Sequence, residues 1–220
     1  GPDIAGIPST ATSPGTIYDQ SVQKNNFRLY NATGTKPVSG KIGQGLDFKG
    51  TAYGKISFTK GAEQMVVRPQ NTGATWSAWF YANDNTPFAS GAEARLLSYD
   101  RGLDFAPGNT FTFSGSTGVT VTDGGGNGFS MTYPTVFKSK QWYHVAATLT
   151  SGSLQNGILY VNGERVGTGV SPAQWISTNG WKNYYIGWGG EGGFPPFNGI
   201  LDEVRYYEKT LSAAEVNRLY

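Results

Sequence analysis

From Tyr18 to Tyr207 the chain repeats short runs in which apolar and polar residues alternate, separated by Gly, Asn, Asp and Pro. A two-residue period sends successive side chains to opposite faces, so each run predicts a strand with one buried face. The runs are 45–48, 55–58, 75–81, 95–99, 110–113, 119–122, 142–149, 157–161, 164–167, 184–187 and 199–207. Asn162-Gly163 separates two of them. That dipeptide predicts a tight hairpin, because both turn residues take positive φ. Many strands and no long helical pattern imply an all-β, two-sheet antiparallel sandwich. One short helix is expected at the C-terminus. Ser212 and Glu215 have capping-box spacing, and Leu211 and Val216 have the spacing of a hydrophobic staple. Two turns are marginal alone, so this helix must pack on the sandwich.

Composition narrows the class. A length of 220 residues suits one domain. Residues 1–16 are rich in Pro, Ser, Thr and Gly and read as a linker or lead-in, leaving 17–220 as the domain. Aromatic residues make up 14% of the chain, too much apolar mass for a disordered segment. Charged residues are only 15%, with a net charge of +2, which argues against a nucleic-acid-binding or polybasic membrane surface. No apolar run approaches the ~20 residues a membrane-spanning helix needs. Cysteine is absent, which removes disulfides, thiol catalysis and Cys-ligated zinc. No signal peptide heads the chain, as expected of a processed fragment.

Several stretches, in order, carry a family resemblance. They are Asp19-Gln20-Ser21, 40–48 with Gly50, 74–80, Trp142-Tyr143-His144-Val145-Ala146, 159–164, Tyr185-Ile186-Gly187, 198–207 and 211–216. Together they resemble the laminin-G-like, concanavalin A-type jelly-roll modules of bacterial extracellular proteins, over residues 17–220. One departure is that Val22, Gln23 and Lys24 stand where that opening carries glycines. The resemblance implies a jelly roll used for glycan binding or adhesion, outside the cell or on its surface, often with one structural calcium. For calcium it points to Asp19 and Asp202, with an oxygen from Asn25 or Asn26. Calcium takes six to eight hard oxygens. The alternative is that Asp19 bonds its own turn and Asp202 pairs with a Lys or Arg. The clusters 100–104 and 123–127 are candidates for a second ion.

The same fold hosts glycoside hydrolases whose carboxylates lie on one strand as Glu-x-Asp-x-x-Glu. Retaining chemistry needs two carboxylates about 5 Å apart. No such strand is present. Glu63, Glu93, Glu164 and Glu191 are isolated, and simple alternation sends Asp202 and Glu203 to opposite faces. His144, the single histidine, reads as a structural strand residue. The chain is therefore expected not to be an enzyme, with no catalytic residues.

A sugar site wants an exposed flat aromatic beside a few fixed polar groups. Trp76, Trp79 and Trp142 lie in strand runs and are assigned to the core. Trp175, Trp181 and Trp188 lie in or beside irregular segments. The carbohydrate-binding candidates are Trp188, Glu191 and Phe194, with Tyr99, Asp100 and Arg101 if the loops converge. The expected function is a non-catalytic carbohydrate-binding module of a secreted or cell-surface protein. The alternative is a structural or adhesive domain of a surface fibre, with a protein partner or none.

Overall fold

Two antiparallel sheets face each other across one apolar interior. The computed structural model describes residues 15–21, 24–58, 73–88, 95–99, 109–113, 119–123, 130–133, 137–151, 154–172, 182–188 and 195–220. Its strands are β1 (Thr16–Ile17), β2 (Phe27–Tyr30), β3 (Pro37–Ser39), β4 (Gln44–Asp47) and β5 (Tyr53–Phe58). Next come β6 (Ala74–Ala82), β7 (Arg95–Tyr99), β8 (Asn109–Phe113), β9 (Val119–Asp123) and β10 (Ser130–Tyr133). The last are β11 (Trp142–Leu149), β12 (Leu154–Val161), β13 (Glu164–Pro172), β14 (Lys182–Ile186) and β15 (Gly199–Tyr207), followed by helix α1 (Ala213–Asn217). One sheet has eight strands in the order β1-β2-β5-β14-β7-β8-β9-β10. The other has seven, in the order β13-β12-β11-β6-β15-β4-β3.

Every alternating run of the sequence falls in a strand. The strands β1, β2, β3 and β10 are additional. In β2 the period is hard to see because Phe27, Leu29 and Tyr30 are all large. Leu29 is buried in the interior while Tyr30 stands on the opposite face. Proline heads β3, which lies at a sheet edge, where a missing N–H is tolerated.

The strand β6 is central and buried on both faces. Ala74, Trp76, Phe80 and Ala82 point into the interior and meet Leu46, Leu96, Val145, Tyr184 and Phe197. The opposite face carries Thr75, Ser77 and Trp79, and the C-terminus covers it. The hairpin turn takes the expected form, with φ of 51° at Asn162 and 80° at Gly163. A Cβ on Gly163 would lie 2.6 Å from Asn217 Oδ1 and 3.0 Å from a Tyr220 ring carbon, so the turn must be bare where the chain end crosses it.

The helix α1 is built as its sequence predicts. Ser212 Oγ accepts from Glu215 N at 3.3 Å, and Ser212 N donates to Glu215 Oε2 at 2.8 Å. Leu211 and Val216 are buried against Ala146 and Tyr160. Thr75 fixes the approach, accepting from Leu211 N at 2.9 Å and donating to Lys209 O at 2.8 Å.

Candidate functional site

The outer face of the eight-stranded sheet carries an aromatic cluster drawn from three strands. Antiparallel pairing sets Tyr30 of β2 directly opposite Tyr53 of β5. Their rings stack with centroids 5.3 Å apart and planes 9° apart. Trp188, just beyond β14, lies 4.4 Å from Tyr53 and stands edge-on to Tyr185 at 5.3 Å. The turn that brings Trp188 there passes through Gly187, whose φ is 76°. A Cβ at Gly187 would meet the Phe48 ring at 2.9 Å, so only glycine fits both the backbone and the packing. Tyr30, Tyr53 and Trp188 are half-buried, so part of each residue retains access to solvent, whereas Tyr185 is buried. Burial, and then the neighbouring Tyr30, raise the Tyr53 hydroxyl above the usual tyrosine range.

One two-residue step along the same face is a polar row. The register aligns Thr16, Arg28, Lys55, Tyr185 and Ser98 across β1, β2, β5, β14 and β7. Arg28 Cζ sits 5.7 Å from the Tyr30 centroid, and Lys55 Nζ sits 5.6 Å from the Tyr185 centroid. These are cation–π distances.

Of the glycan candidates, Trp188 belongs to this cluster, against Tyr53 and Tyr185. Tyr99 pairs with Tyr184 through the backbone, and its side chain lies outside the described residues. Asp100, Arg101, Glu191 and Phe194 also lie outside the described residues, as do Trp175 and Trp181. Sequence reasoning missed Tyr30, Tyr53, Tyr185, Arg28 and Lys55. The available signal was an aromatic or cationic residue on the polar side of a strand's alternation, seen in Tyr53-Gly54-Lys55-Ile56. Trp142 is half-buried against Tyr81 at 5.5 Å rather than in the core, because it begins β11 at the rim.

The calcium candidates Asp19, Asn25 and Asp202 line one cavity of about 770 Å³, so the fold does bring them to the same region. Three of the four oxygens of the two carboxylates already accept hydrogen bonds. Asp19 Oδ1 accepts from Ser21 N at 2.8 Å, and Oδ2 accepts from Ser21 Oγ at 2.6 Å and Asn25 N at 2.7 Å. Partial burial works to raise this carboxyl, but those bonds and the Lys24 charge outweigh it and hold it below the usual range. Asp202 is buried, and its Oδ2 accepts from Ile42 N at 2.8 Å, which ties down the β3–β4 turn. Burial raises its carboxyl above the usual range, and Oδ1 makes no hydrogen bond. The cavity walls include Phe27, Leu46, Leu97, Ile186 and Leu201, together with the oxygen-bearing Gln20, Ser21, Glu203 and Glu208. No three acidic or histidine side chains come together among the described residues. Asp19, Asn25 and Asp202 thus line one cavity without forming such a cluster among the described residues. Asp19 instead has the local-turn arrangement named as its alternative, and Asp202 bonds a backbone amide rather than a cation.

Simple alternation does not hold at Asp202 and Glu203. Asp202 pairs with Trp79 and Arg205 with Ser77, so β15 has one residue more than β6 between these pairs. That is a β-bulge. Glu203 takes a φ of 49° there and forms an ion pair with Arg205. His144 is fully buried, and its Nε2 lies 3.0 Å from the Oγ of buried Ser77. Burial, aided by the Arg205 charge, lowers its pKa to about 4. The pair resembles a hydrolytic dyad only in composition, since His144 Nδ1 lacks an orienting partner and neither residue reaches solvent.

The fold and this face define an antiparallel β-sandwich of lectin type, with half-exposed aromatics on one sheet. The chain belongs to the concanavalin A-like lectin/glucanases superfamily, whose laminin-G family model matches residues 50–217. Among solved structures it is similar to domain 4 of AbnA, a GH43 extracellular arabinanase from Geobacillus stearothermophilus, in complex with arabinotriose. That match has 16% identity and a TM-score of 0.58, covering 84% of this chain and 80% of that one. It is also similar to Trypanosoma rangeli sialidase, at 16% identity and a TM-score of 0.61, over 96% of this chain and 31% of that one. A third likeness is to the binding domain of botulinum neurotoxin DC in complex with rat synaptotagmin II. There the identity is 12% and the TM-score 0.56, over 93% of this chain and 48% of that one. At these identities the likeness concerns the fold. No curated protein sequence matches the chain.

Proposed function

We propose that the chain is a non-catalytic carbohydrate-binding domain of a secreted or cell-surface protein, and that sugar rings lie on Tyr30, Tyr53 and Trp188. The observation that carries this reading is the packed aromatic cluster, half-buried on the outer face of the eight-stranded sheet beside Arg28 and Lys55. Sugar rings present apolar C–H faces, and fixed aromatic rings offer matching flat area at low entropic cost. The extended sheet beneath keeps the rings in place without a loop having to order on binding. Membership of a lectin-type superfamily supports the same reading, as does the likeness to an arabinanase domain solved with arabinotriose.

The test is binding to a panel of oligosaccharides and polysaccharides by wild type, Trp188→Ala and Tyr53→Ala. Wild type is expected to bind at least one glycan. Both variants are expected to keep their circular dichroism spectrum and lose binding at least about fivefold, since one aromatic stacking contact contributes about 1 kcal/mol or more. Full binding by both folded variants would remove the proposed face from the site.

A further inference from the structure

We infer that the glycan taken by this face is anionic, bearing carboxylate or sulfate groups on its sugar rings; this rests on the proposed carbohydrate-binding role and specifies its ligand. The starting point is an anomaly in pairing. The β2–β5 register sets Arg28 directly opposite Lys55. Like charges directly opposite on an antiparallel pair repel, and sheets ordinarily place opposite charges there. Neither cation has an ion pair or hydrogen bond with any described residue; each has only the face of a tyrosine, Tyr30 or Tyr185.

Four described carboxylates have partners of their own elsewhere. Asp47 accepts from Asn83 and from Lys49 N. Asp84 accepts from Thr86 N and Asn198. Glu203 pairs with Arg205, and Glu215 with Lys209.

Position gives the two cations a ligand-facing role. They share the outer face with the aromatic cluster and stand one two-residue step from Tyr30 and Tyr53, about 7 Å along the strands. A sugar ring on the aromatic row would therefore carry its ring substituents toward Arg28 and Lys55. A carboxylate or sulfate there would accept charge-assisted hydrogen bonds from both and cancel their repulsion. A neutral sugar would leave the repulsion in place.

The experiment measures binding of wild type, Arg28→Gln, Lys55→Gln and Trp188→Ala to three probes. These are polygalacturonate (carboxylate), carrageenan (sulfate) and neutral arabinan, with thermal melts of every variant. Wild type is expected to prefer at least one anionic polymer over arabinan by about tenfold or more, as charge-assisted bonds add to stacking. That preference is expected to shrink as salt rises from about 0.05 to 0.5 M, since exposed charges are screened. Each Gln variant should lose about tenfold on the anionic polymer and almost nothing on arabinan. Its Tm should be unchanged or higher, because a repulsive pair has been removed. Polygalacturonate against carrageenan separates the two anionic groups. Equal or tighter binding to arabinan, lost in Trp188→Ala, would overturn the anionic assignment while leaving the carbohydrate role standing. Anionic binding untouched by both Gln variants would also overturn it. Anionic binding that survives Trp188→Ala would show adsorption of any polyanion and overturn both readings, and no binding to any of the three probes by folded protein would overturn the anionic assignment.

Discussion

The two sheets each carry an aromatic cluster on their outer face, and the clusters meet different fates. On the seven-stranded sheet, Trp79 stacks on Tyr220 at 5.4 Å and lies 5.2 Å from the His144 ring, with Lys41 Nζ 4.7 Å from its centroid. Trp79 Nε1 also donates to Leu219 O at 3.3 Å, and only 2% of the residue remains exposed. The C-terminal segment seals that face. On the eight-stranded sheet, Tyr30, Tyr53 and Trp188 stack just as closely, yet no described segment seals them and they remain half-exposed. Aromatic content therefore does not distinguish a site from a secondary core. What distinguishes them is whether the chain supplies its own cover. One face spends its rings on holding the C-terminus, and the other is the proposed ligand face.

The sharpest way to break this contrast is to truncate one tryptophan on each face. Trp79→Ala should cost about 3–5 kcal/mol in denaturant unfolding, the usual range for a buried large aromatic. Trp188→Ala should cost about 1–2 kcal/mol, the worth of its two ring contacts, while removing glycan binding. Equal losses of stability would mean that both clusters are structural.

The second prediction concerns pH. His144 is buried and neutral, with Ser77, Trp79, Tyr220 and the Arg205 charge around it. Its folded pKa of about 4 lies below the ordinary histidine value of 6.5, so the unfolded chain binds the proton first. Stability from this residue is full above about pH 6.5 and is lost as pH falls to about 4, by an amount on the order of 3 kcal/mol. His144→Gln should flatten that segment of the stability profile. An unchanged profile would place the acid sensitivity elsewhere. Glycan binding by still-folded protein should not follow the His144 titration, because the other sheet carries the ligand face.

Two smaller effects sharpen the contrast further. Ser212→Ala removes the helix cap and should cost about 1 kcal/mol, with Trp79 fluorescence shifting toward that of exposed indole as the cover loosens. Asp19→Ala should also cost about 1 kcal/mol, through the lost turn bonds. Its Tm decrease should be the same in calcium and in chelator. A decrease confined to calcium-loaded protein would make Asp19 a metal ligand after all.

Local rules made much of the sandwich legible. The alternation of β6, β11 and β15, the Asn162-Gly163 turn and the Ser212 cap each depend on residues adjacent in sequence, and each forms as its pattern predicts. The ligand face was legible only at Trp188, which stood out as an aromatic beside an irregular segment. Tyr30 and Tyr53 were hidden because a large residue on a strand's outer face reads as a break in period rather than as a site. The bulge at Glu203 was hidden for a related reason. An extra residue is visible only against the partner strand, and nothing in 199–207 states which strand that is.

The strand-rich class, the turn chemistry, the capped C-terminal helix and the family follow from the amino-acid order alone, because these rest on short-range pattern and on ordered motifs. Strand pairing, the outer face that the C-terminus covers, and the placing of Arg28 opposite Lys55 beside Tyr30 and Tyr53 emerge only in the folded chain. Those outcomes depend on register between segments far apart in the chain. A shift of one residue in that register would turn the same side chains to the opposite face.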